Sequence, residues 1–184
     1  MMELTQTDRW RTPTIECFLL VPELVTPAYV EWLNDPEINR FLESRFVVQD
    51  LTGVRAFVAT QLADPKTLFL GIRSVALGRH VGNIKLGPID RQHGLGEIGI
   101  MIGDRSAWGQ GIGAAAIQVV AGIAQHELGL RKLTAGCYGS NVGSARAFLK
   151  AGFDIEGTRP AHFLLDGRPE DLTLMARHLF RISA

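Results

Sequence analysis

Two spacings of apolar residues alternate along the chain and predict both strands and helices. Short β-branched or alternating runs are typical of strands, whereas apolar residues three and four positions apart are typical of amphipathic helices. Predicted strands cover 15–21, 67–74, 80–86, 98–102, 132–138, 153–165 and 171–178, and predicted helices cover 27–33, 51–62, 114–128 and 141–151. This order predicts an α/β (α+β) fold, in which one mixed sheet carries helices on both faces.

Polar and turn-forming residues mark the ends of these elements. Thr26 is the predicted N-cap of the first helix, with Pro27 at its first position, and Asp50 is the predicted N-cap of the second. Gly152 suits the C-terminal end of the last helix, and the turn at 166–169 predicts a terminal hairpin. Because no repeat or linker is visible, residues 1–184 are predicted to form a single domain.

The stretch 97–116, EIGIMIGDRSAWGQGIGAAA, joins a predicted strand to a predicted helix through a glycine-rich loop. The first amides of a helix have no partner within the helix and lie at the positive end of its dipole. Glycines let a phosphate group approach this bare backbone. The stretch therefore predicts an anion-binding site, and the alternative is a glycine-rich loop without a ligand.

Two common phosphate-binding motifs fit this loop poorly. A Walker A loop needs a lysine and a hydroxyl residue after its last glycine, where this chain has Ala114 and Ala115. A dinucleotide-binding fingerprint needs an acidic residue at the end of the next strand, and the predicted strand 132–138 ends without one. The loop instead resembles the pyrophosphate loop of the GCN5-related N-acetyltransferases (the GNAT superfamily), whose signature is Arg/Gln-x-x-Gly-x-Gly/Ala.

The resemblance to the GNAT superfamily extends over the chain from Ile15 onward. Gly111-Ile-Gly113 matches the loop signature, while Trp108 replaces its Arg/Gln, as in the branch of ribosomal-protein-alanine and -serine acetyltransferases. The segment 141–153 resembles the superfamily's Asn-x-x-Ser/Ala … Gly-Phe segment. EWLNDPEINRF, HVGNIKL and DGRPEDLTLMARH resemble the same branch and the nucleotide-amino-sugar acetyltransferases. The resemblance implies a mostly antiparallel sheet of about seven strands, in which strands four and five splay apart.

Composition narrows the expected partners. Nineteen basic and nineteen acidic residues cancel, which gives no electrostatic reason to expect binding to nucleic acid or to an anionic membrane. No apolar run approaches a membrane span, and the N-terminus lacks the apolar core of a signal peptide, so we expect a cytoplasmic protein. Cys17 and Cys137 match no metal or redox spacing, so we expect unpaired thiols and no metal.

The resemblance implies acetyl-CoA as cosubstrate and assigns residues to it. Unpaired backbone groups at the splay would bind the pantetheine arm as an extra strand, and the glycine loop would hold the pyrophosphate. Asn141 would either bond the pantetheine amides or cap its helix, while Lys150 and Arg146 would either meet phosphates or remain solvated. The expected cofactor residues are Met101, Ile102, Gln110, Gly111, Ile112, Gly113, Ala114, Asn141, Ser144, Phe148 and Lys150.

Catalysis requires a base for the amine and a proton for the leaving thiolate. Glu97 aligns with the glutamate that serves as base in several members of the superfamily, and a surface carboxylate is the alternative. Many members carry a tyrosine as general acid where this chain has Phe148, which cannot donate a proton. Ser144 is the predicted replacement, and Tyr138 is the second candidate.

The acceptor is expected between the early helices and the terminal hairpin. The predicted substrate-binding residues are Asn34, Asn83 and His162, with Arg40, Arg45 and Arg159 as cations for a diphosphate. The resemblance implies an acetyl-CoA-dependent N-acetyltransferase acting on a small-molecule amine, for which we predict a nucleotide-linked amino sugar. A protein N-terminal amine is the second hypothesis, and a non-catalytic acyl-CoA-binding domain is a third. The sequence is also compatible with a homodimer.

Overall fold

One eight-stranded sheet organises the protein, as seen in a computed structural model that describes residues 9–180. Its strands are β1 (Arg9–Arg11), β2 (Ile15–Leu19), β3 (Leu68–Ser74), β4 (Arg79–Leu86), β5 (Leu95–Ile102), β6 (Lys132–Tyr138), β7 (Asp154–Leu165) and β8 (Arg168–His178). They lie in the order β1-β2-β3-β4-β5-β6-β8-β7. Neighbours are antiparallel except for β5 and β6, which are parallel. The predicted fold class is therefore confirmed, with β1 as an edge strand that the sequence pattern missed.

Four α-helices connect these strands, and their N-caps explain where they begin. They are α1 (Pro27–Asn34), α2 (Leu51–Ala63), α3 (Ile112–His126) and α4 (Val142–Lys150), with short 3-10 helices at Pro22–Leu24, Glu43–Phe46 and Arg105–Ala107. The Thr26 hydroxyl accepts a hydrogen bond from the Tyr29 amide, and the Asp50 carboxylate accepts one from the Gly53 amide. Both predicted caps are confirmed. None of the helices within 9–180 is long and apolar enough to cross a membrane.

Apolar side chains cover the two faces of the sheet separately. On one face, Ile117 and Val120 of α3 are fully buried in a cluster with Ile84 and Leu133 of the sheet. On the opposite face, α1 and α2 bury a second cluster that includes Trp32. Strand residues alternate between the two clusters, because successive side chains of a strand point to opposite faces. The prediction of helices on both faces is confirmed.

β5 and β6 are paired only at their beginnings. Leu95, Gly96 and Glu97 pair with Lys132, Leu133 and Thr134. Beyond these residues β5 remains paired with β4, and β6 remains paired with β8. The facing edges of 98–102 and 135–138 are therefore unpaired, and the gap between them is called the splay below. The resemblance implied this feature at these two strands, and the pairing confirms it.

Candidate functional site

The N-terminus of α3 has the features of an anion-binding site. Gly111 is its N-cap with φ of 77°, a left-handed conformation that favours glycine. The Ala115 amide donates the first helical hydrogen bond, to the Gly111 carbonyl, so the preceding amides at Ile112, Gly113 and Ala114 have no acceptor within the helix. A Cβ placed on Gly111 would lie 3.5 Å from Nζ of Lys150 in α4. A lysine cation thus stands beside the positive end of the helix dipole.

The loop before α3, residues 103–111, is called the glycine loop, and its own side chains hold it in place. The Trp108 indole donates to the Ile102 carbonyl at 2.8 Å, and the Gln110 side-chain amide donates to the Ser106 carbonyl at 2.5 Å. Asp104 accepts from the Ser106 amide and from Nε of Arg79. Because these contacts fix the backbone, the α3 amides are already oriented for an anion.

The open edge of β5 presents its backbone groups at alternate residues. The Glu97 carbonyl accepts from the Gly87 amide, and the Gly103 amide donates to the Val81 carbonyl, so both residues face β4. By the alternation of an antiparallel pair, Met101 also faces β4, whereas Ile100 and Ile102 face the splay. The prediction that the Met101 backbone contacts a pantetheine arm is therefore wrong, and Ile100 is the better candidate.

Asn141 and Ser144 lie together at the start of α4. Asn141 Oδ1 accepts from the Ser144 amide at 3.1 Å, which makes Asn141 the N-cap of α4. Its Nδ2 and the Ser144 hydroxyl have no partner among residues 9–180. Ala147, one turn after Ser144, has its Cβ 3.6 Å from where a Gly113 Cβ would stand. Ser144 therefore lies on the side of α4 that faces α3.

Phe148 does not line this site. Only 2 % of its surface is exposed, and its ring packs edge-on against Phe153 with centroids 5.0 Å apart. The helical period of α4 directs Phe148 into the core. The prediction that it contacts the cofactor is wrong.

Tyr138, at the end of β6, directs its hydroxyl to a residue that the sequence did not single out. The hydroxyl donates to Oε1 of Glu43 at 2.6 Å, and the ring stacks on Phe163 with centroids 4.3 Å apart. Burial raises the pKa of Tyr138, and the hydrogen bond to Glu43 raises it further. Tyr138 therefore holds its proton more tightly than an ordinary tyrosine. Glu43 and Tyr138 are 95 positions apart, so no local pattern could have paired them.

The segment 35–49 between α1 and α2, called the strap below, crosses the splay. Glu43 reaches β6 through Tyr138, Arg40 pairs with Asp166 at 2.9 Å, and Arg45 donates to the Leu164 carbonyl at 3.2 Å. The strap therefore extends from the helices over β2 and β3 to the terminal hairpin. Because Arg40 and Arg45 are bound within the chain, they are poor candidates for holding a diphosphate.

Two predicted substrate residues, Asn34 and Asn83, are occupied by structural contacts. The Asn34 side chain accepts from the Gln49 amide and donates to the Gln49 carbonyl, both at 2.9 Å, and so ties the ends of the strap together. Asn83 is 4 % exposed and bonds His80 at 2.9 Å beneath α1. These contacts argue against both assignments to the acceptor, because the Asn34 amide is used within the chain and Asn83 is buried. His162 is exposed on β7 beside Phe163, which leaves its role a prediction.

Glu97 lies at the entrance of the splay, on the same face of the sheet as the strap. Met101 packs against the α1 and α2 cluster. Because alternate residues of a strand point to the same face, the Glu97 side chain points to that face as well. The Glu97 carboxylate is exposed and has neither a hydrogen bond nor an ion pair within the part of the chain that the structure describes. A Cβ on Gly99 would meet nothing within 4 Å, so the floor beside Glu97 is open.

Within residues 9–180, no group of three or more His, Cys, Asp or Glu side chains lies close enough together to hold a metal ion. Cys17 and Cys137 are free and buried. Burial raises the pKa of Cys17 to about 12, so this thiol is unreactive at neutral pH.

Comparisons with known proteins identify the family and agree with the fold. The sequence profile described as the acetyltransferase (GNAT) domain matches residues 21–154. A stretch of 73 residues is 37 % identical to the probable N-acetyltransferase YjcK of Bacillus subtilis strain 168, and it spans 40 % of this chain and 40 % of that relative. The matched part is thus well under half of the relative's length.

Two solved structures show how closely the fold agrees. RimL, a ribosomal-protein α-N-acetyltransferase solved with coenzyme A, superposes with a TM-score of 0.79 at 19 % identity, over 91 % of this chain and 95 % of that one. The spermidine N-acetyltransferase of Vibrio cholerae, solved with CoA and spermine, gives a TM-score of 0.76 at 16 % identity, over 90 % and 95 %. At these identities the structures share the fold alone. The domain profile covers most of the chain, and the chain therefore belongs to the GNAT family of acetyltransferases.

Proposed function

We propose that this protein is an N-acetyltransferase that transfers the acetyl group of acetyl-CoA directly to a primary amine within a ternary complex. The observation that carries this proposal is the junction of an unpaired strand edge with an anion site. The open edge of β5 leads to the α3 N-terminus, where three amides and the Lys150 ammonium converge. An amide-bearing arm that ends in a diphosphate matches both parts of this surface.

The described residues offer a partner for each part of such a cosubstrate. Ile100 would pair with an amide of the arm, the amides of Ile112, Gly113 and Ala114 would hold a phosphate, and Lys150 would neutralise part of its charge. The free Nδ2 of Asn141 would donate to a carbonyl of the arm while Oδ1 caps α4. When bound, acetyl-CoA supplies an activated acetyl thioester at the splay.

Each catalytic role falls to a side chain with unused hydrogen-bonding capacity. We assign Glu97 the role of general base, which accepts the proton of the amine directly or through water. Its carboxylate is exposed and has no partner within residues 9–180. We assign Ser144 the hydrogen bond to the sulfur as the carbon–sulfur bond breaks, because its hydroxyl is free beside α3. The leaving thiolate then takes a proton from solvent, either directly or through the Ser144 hydroxyl, which receives a solvent proton as it gives up its own.

The exposed position of Glu97 favours a weakly basic amine. At pH 7, deprotonating an amine of pKa 8 costs about 1.4 kcal/mol, whereas a lysine-like amine of pKa 10.4 costs about 4.6 kcal/mol. A solvated carboxylate is an adequate base for the first class only. We therefore propose a small molecule with an amine of pKa near 8, the class to which amino sugars belong. A nucleotide-linked sugar has less support, since Asn34, Asn83, Arg40 and Arg45 are already engaged.

A protein N-terminal amine is the second candidate, because it has the same low basicity and because apolar residues flank the splay. Phe46, Val47 and Val48 of the strap and Leu164 of the hairpin are exposed, and they offer a surface for a peptide that follows the amine.

A panel of acceptors tests both candidates on one preparation. Release of CoA thiol from acetyl-CoA is followed with a free amino sugar, a nucleotide-linked amino sugar, spermidine and peptides that begin with Ala or Ser. We expect the amino sugars to give the highest kcat/KM. A hundredfold preference for the peptides would assign the protein to N-terminal acetylation. Tight acetyl-CoA binding without turnover of any amine would instead indicate a non-catalytic binding domain.

A further inference from the structure

Arg105, in the glycine loop, makes an ion pair with the beginning of the strap. One of its terminal nitrogens donates to both carboxylate oxygens of Asp35, at 2.7 and 2.6 Å, and the other lies 2.6 Å from the Glu37 carboxylate. A planar guanidinium that spans two carboxylates fixes direction as well as distance, which a lysine ammonium cannot do.

Asp35 in turn shapes the first residues of the strap. Its Oδ1 accepts from the Glu37 amide at 2.9 Å and from the Ile38 amide at 3.3 Å, while its own amide caps the end of α1. The hydrogen bond from Glu37, followed by that from Arg105, lowers the pKa of Asp35, so this carboxylate is charged at neutral pH. The Arg105 contact therefore acts on a residue that sets the local backbone.

A second contact between the same two segments does not depend on charge. A Cβ on Gly103 would overlap the ring of Trp32, so the α1 tryptophan lies directly on the backbone where the glycine loop begins. The far end of the strap reaches Tyr138 through Glu43. A continuous series of contacts thus joins the anion site on one face of the splay to the strap on the other.

We propose that Arg105 is a positioning residue that transmits the order of the cofactor-bound glycine loop to the strap, so that CoA binding prepares the acceptor site. The inference rests on the proposed function, because it assumes that CoA occupies the glycine loop. By linkage, if bound CoA raises the affinity for the acceptor by some factor, the bound acceptor raises the affinity for CoA by the same factor. A change in the mobility of the strap is sufficient for this coupling. Its average structure does not need to change.

Amide hydrogen exchange of the strap, with and without CoA, tests the inference in the full-length protein. We expect CoA to slow exchange at residues 37–49 about threefold or more in the wild type, and to have no effect there in Arg105→Gln. Arg79→Gln is the matched control. Arg79 is similarly exposed and binds the same loop through Asp104 and Ser106, but none of its contacts within residues 9–180 reaches the strap. Arg79→Gln leaves the hydrogen bond from the Ser106 amide to Asp104, so at saturating CoA the strap should still be protected in this control.

Steady-state kinetics with the best acceptor of the panel supply the second readout. Arg105→Gln should raise the acceptor KM about fivefold or more while kcat changes less than about twofold, and Arg105→Lys should recover only part of the loss. Asp35→Asn keeps an oxygen for the Glu37 amide but loses the charge, and should behave like Arg105→Gln.

The outcomes separate this inference from the proposed function. Calorimetric CoA binding by the wild type without protection of the strap would overturn the role of Arg105 and leave the activity intact. Equal CoA-dependent protection in the wild type and in Arg105→Gln would overturn it as well. Failure of the wild type to bind CoA at all would remove both.

Discussion

The hydroxyl of Tyr138 donates a 2.6 Å hydrogen bond to the carboxylate of Glu43 across the splay. The contact closes the strap over the end of β6 and engages the one phenol that borders this end of the strand. Tyr138 is thus held against the strap, whereas the Ser144 hydroxyl lies free beside the α3 N-terminus. Position and availability both favour Ser144 as the group that assists the leaving sulfur.

Ser144→Ala should therefore lower kcat strongly while the Kd for acetyl-CoA changes little. General acid assistance is worth about 10² to 10⁴, so we expect a loss of tens-fold or more. Tyr138→Phe keeps the stacked ring and removes only the hydroxyl, and should reduce kcat less. Rates measured at saturating acetyl-CoA decide between them, and a near wild-type Ser144→Ala beside an impaired Tyr138→Phe would reverse the two roles.

Gly111→Val should raise the Kd for acetyl-CoA at least about tenfold. A branched side chain would stand between the phosphate and the α3 amides, next to Lys150. Valine is also strained at φ of 77°, so the backbone effect needs its own control. Gly129→Val provides it, because Gly129 has φ of 64° and open space around it, away from the glycine loop. Calorimetric titration of both variants checks this, and equal affinities would contradict the anion site.

Lys150→Gln should weaken acetyl-CoA binding more at low salt than at high salt. The ammonium lies beside the α3 N-terminus on an exposed part of α4, where dissolved ions screen its attraction for a phosphate. Arg55→Gln, which removes an exposed cation from α2 on the opposite face of the sheet, is the control for general loss of positive charge. Titrations at two ionic strengths measure the difference, and a salt-independent effect of Lys150→Gln would argue against a contact with phosphate.

The elements and the glycine loop were predictable because their signals are local. Thr26 and Asp50 lie within three residues of the amides they cap, and Gly111 directly precedes the helix it begins. The sequence assigns Asn34 and Asn83 to the substrate only because they are polar residues in segments expected near the acceptor. Their true partners, the Gln49 backbone and His80, become visible only once the loop and the sheet are folded.

The acceptor side was less predictable because its contacts join residues that are far apart in the sequence. Glu43 with Tyr138 and Arg105 with Asp35 connect residues 95 and 70 positions apart. Each contact depends on the strap crossing the splay, and that path follows from the packing of α1 rather than from any motif. The sequence predicts contacts from Met101 and Ile102 and does not single out Ile100, because a sequence gives the strand but not which of its residues face the open edge.

The last prediction concerns stability at acidic pH and follows from His80. The His80 ring lies among Phe18, Tyr29 and Trp32, with its Nε2 bonded to Asn83 and the Gly82 carbonyl. Burial is the main cause that lowers the pKa of His80 below 6.5, because it disfavours the charged ring. The unfolded chain therefore binds this proton more readily than the folded protein does. The stability that the neutral ring contributes is complete above the unfolded pKa and is lost as the pH falls below it.

His80→Gln should accordingly flatten the acid dependence of folding. Glutamine keeps a side-chain amide that can donate a hydrogen bond but does not titrate, so the variant should lose less Tm than the wild type between pH 7.5 and pH 5, even if it is less stable overall. Thermal unfolding at both pH values measures the two slopes. His162→Gln removes a histidine from the exposed surface of β7, outside the His80 cluster, and serves as the control that should keep the wild-type slope. Identical slopes for the wild type and His80→Gln would show that protonation of His80 does not limit stability.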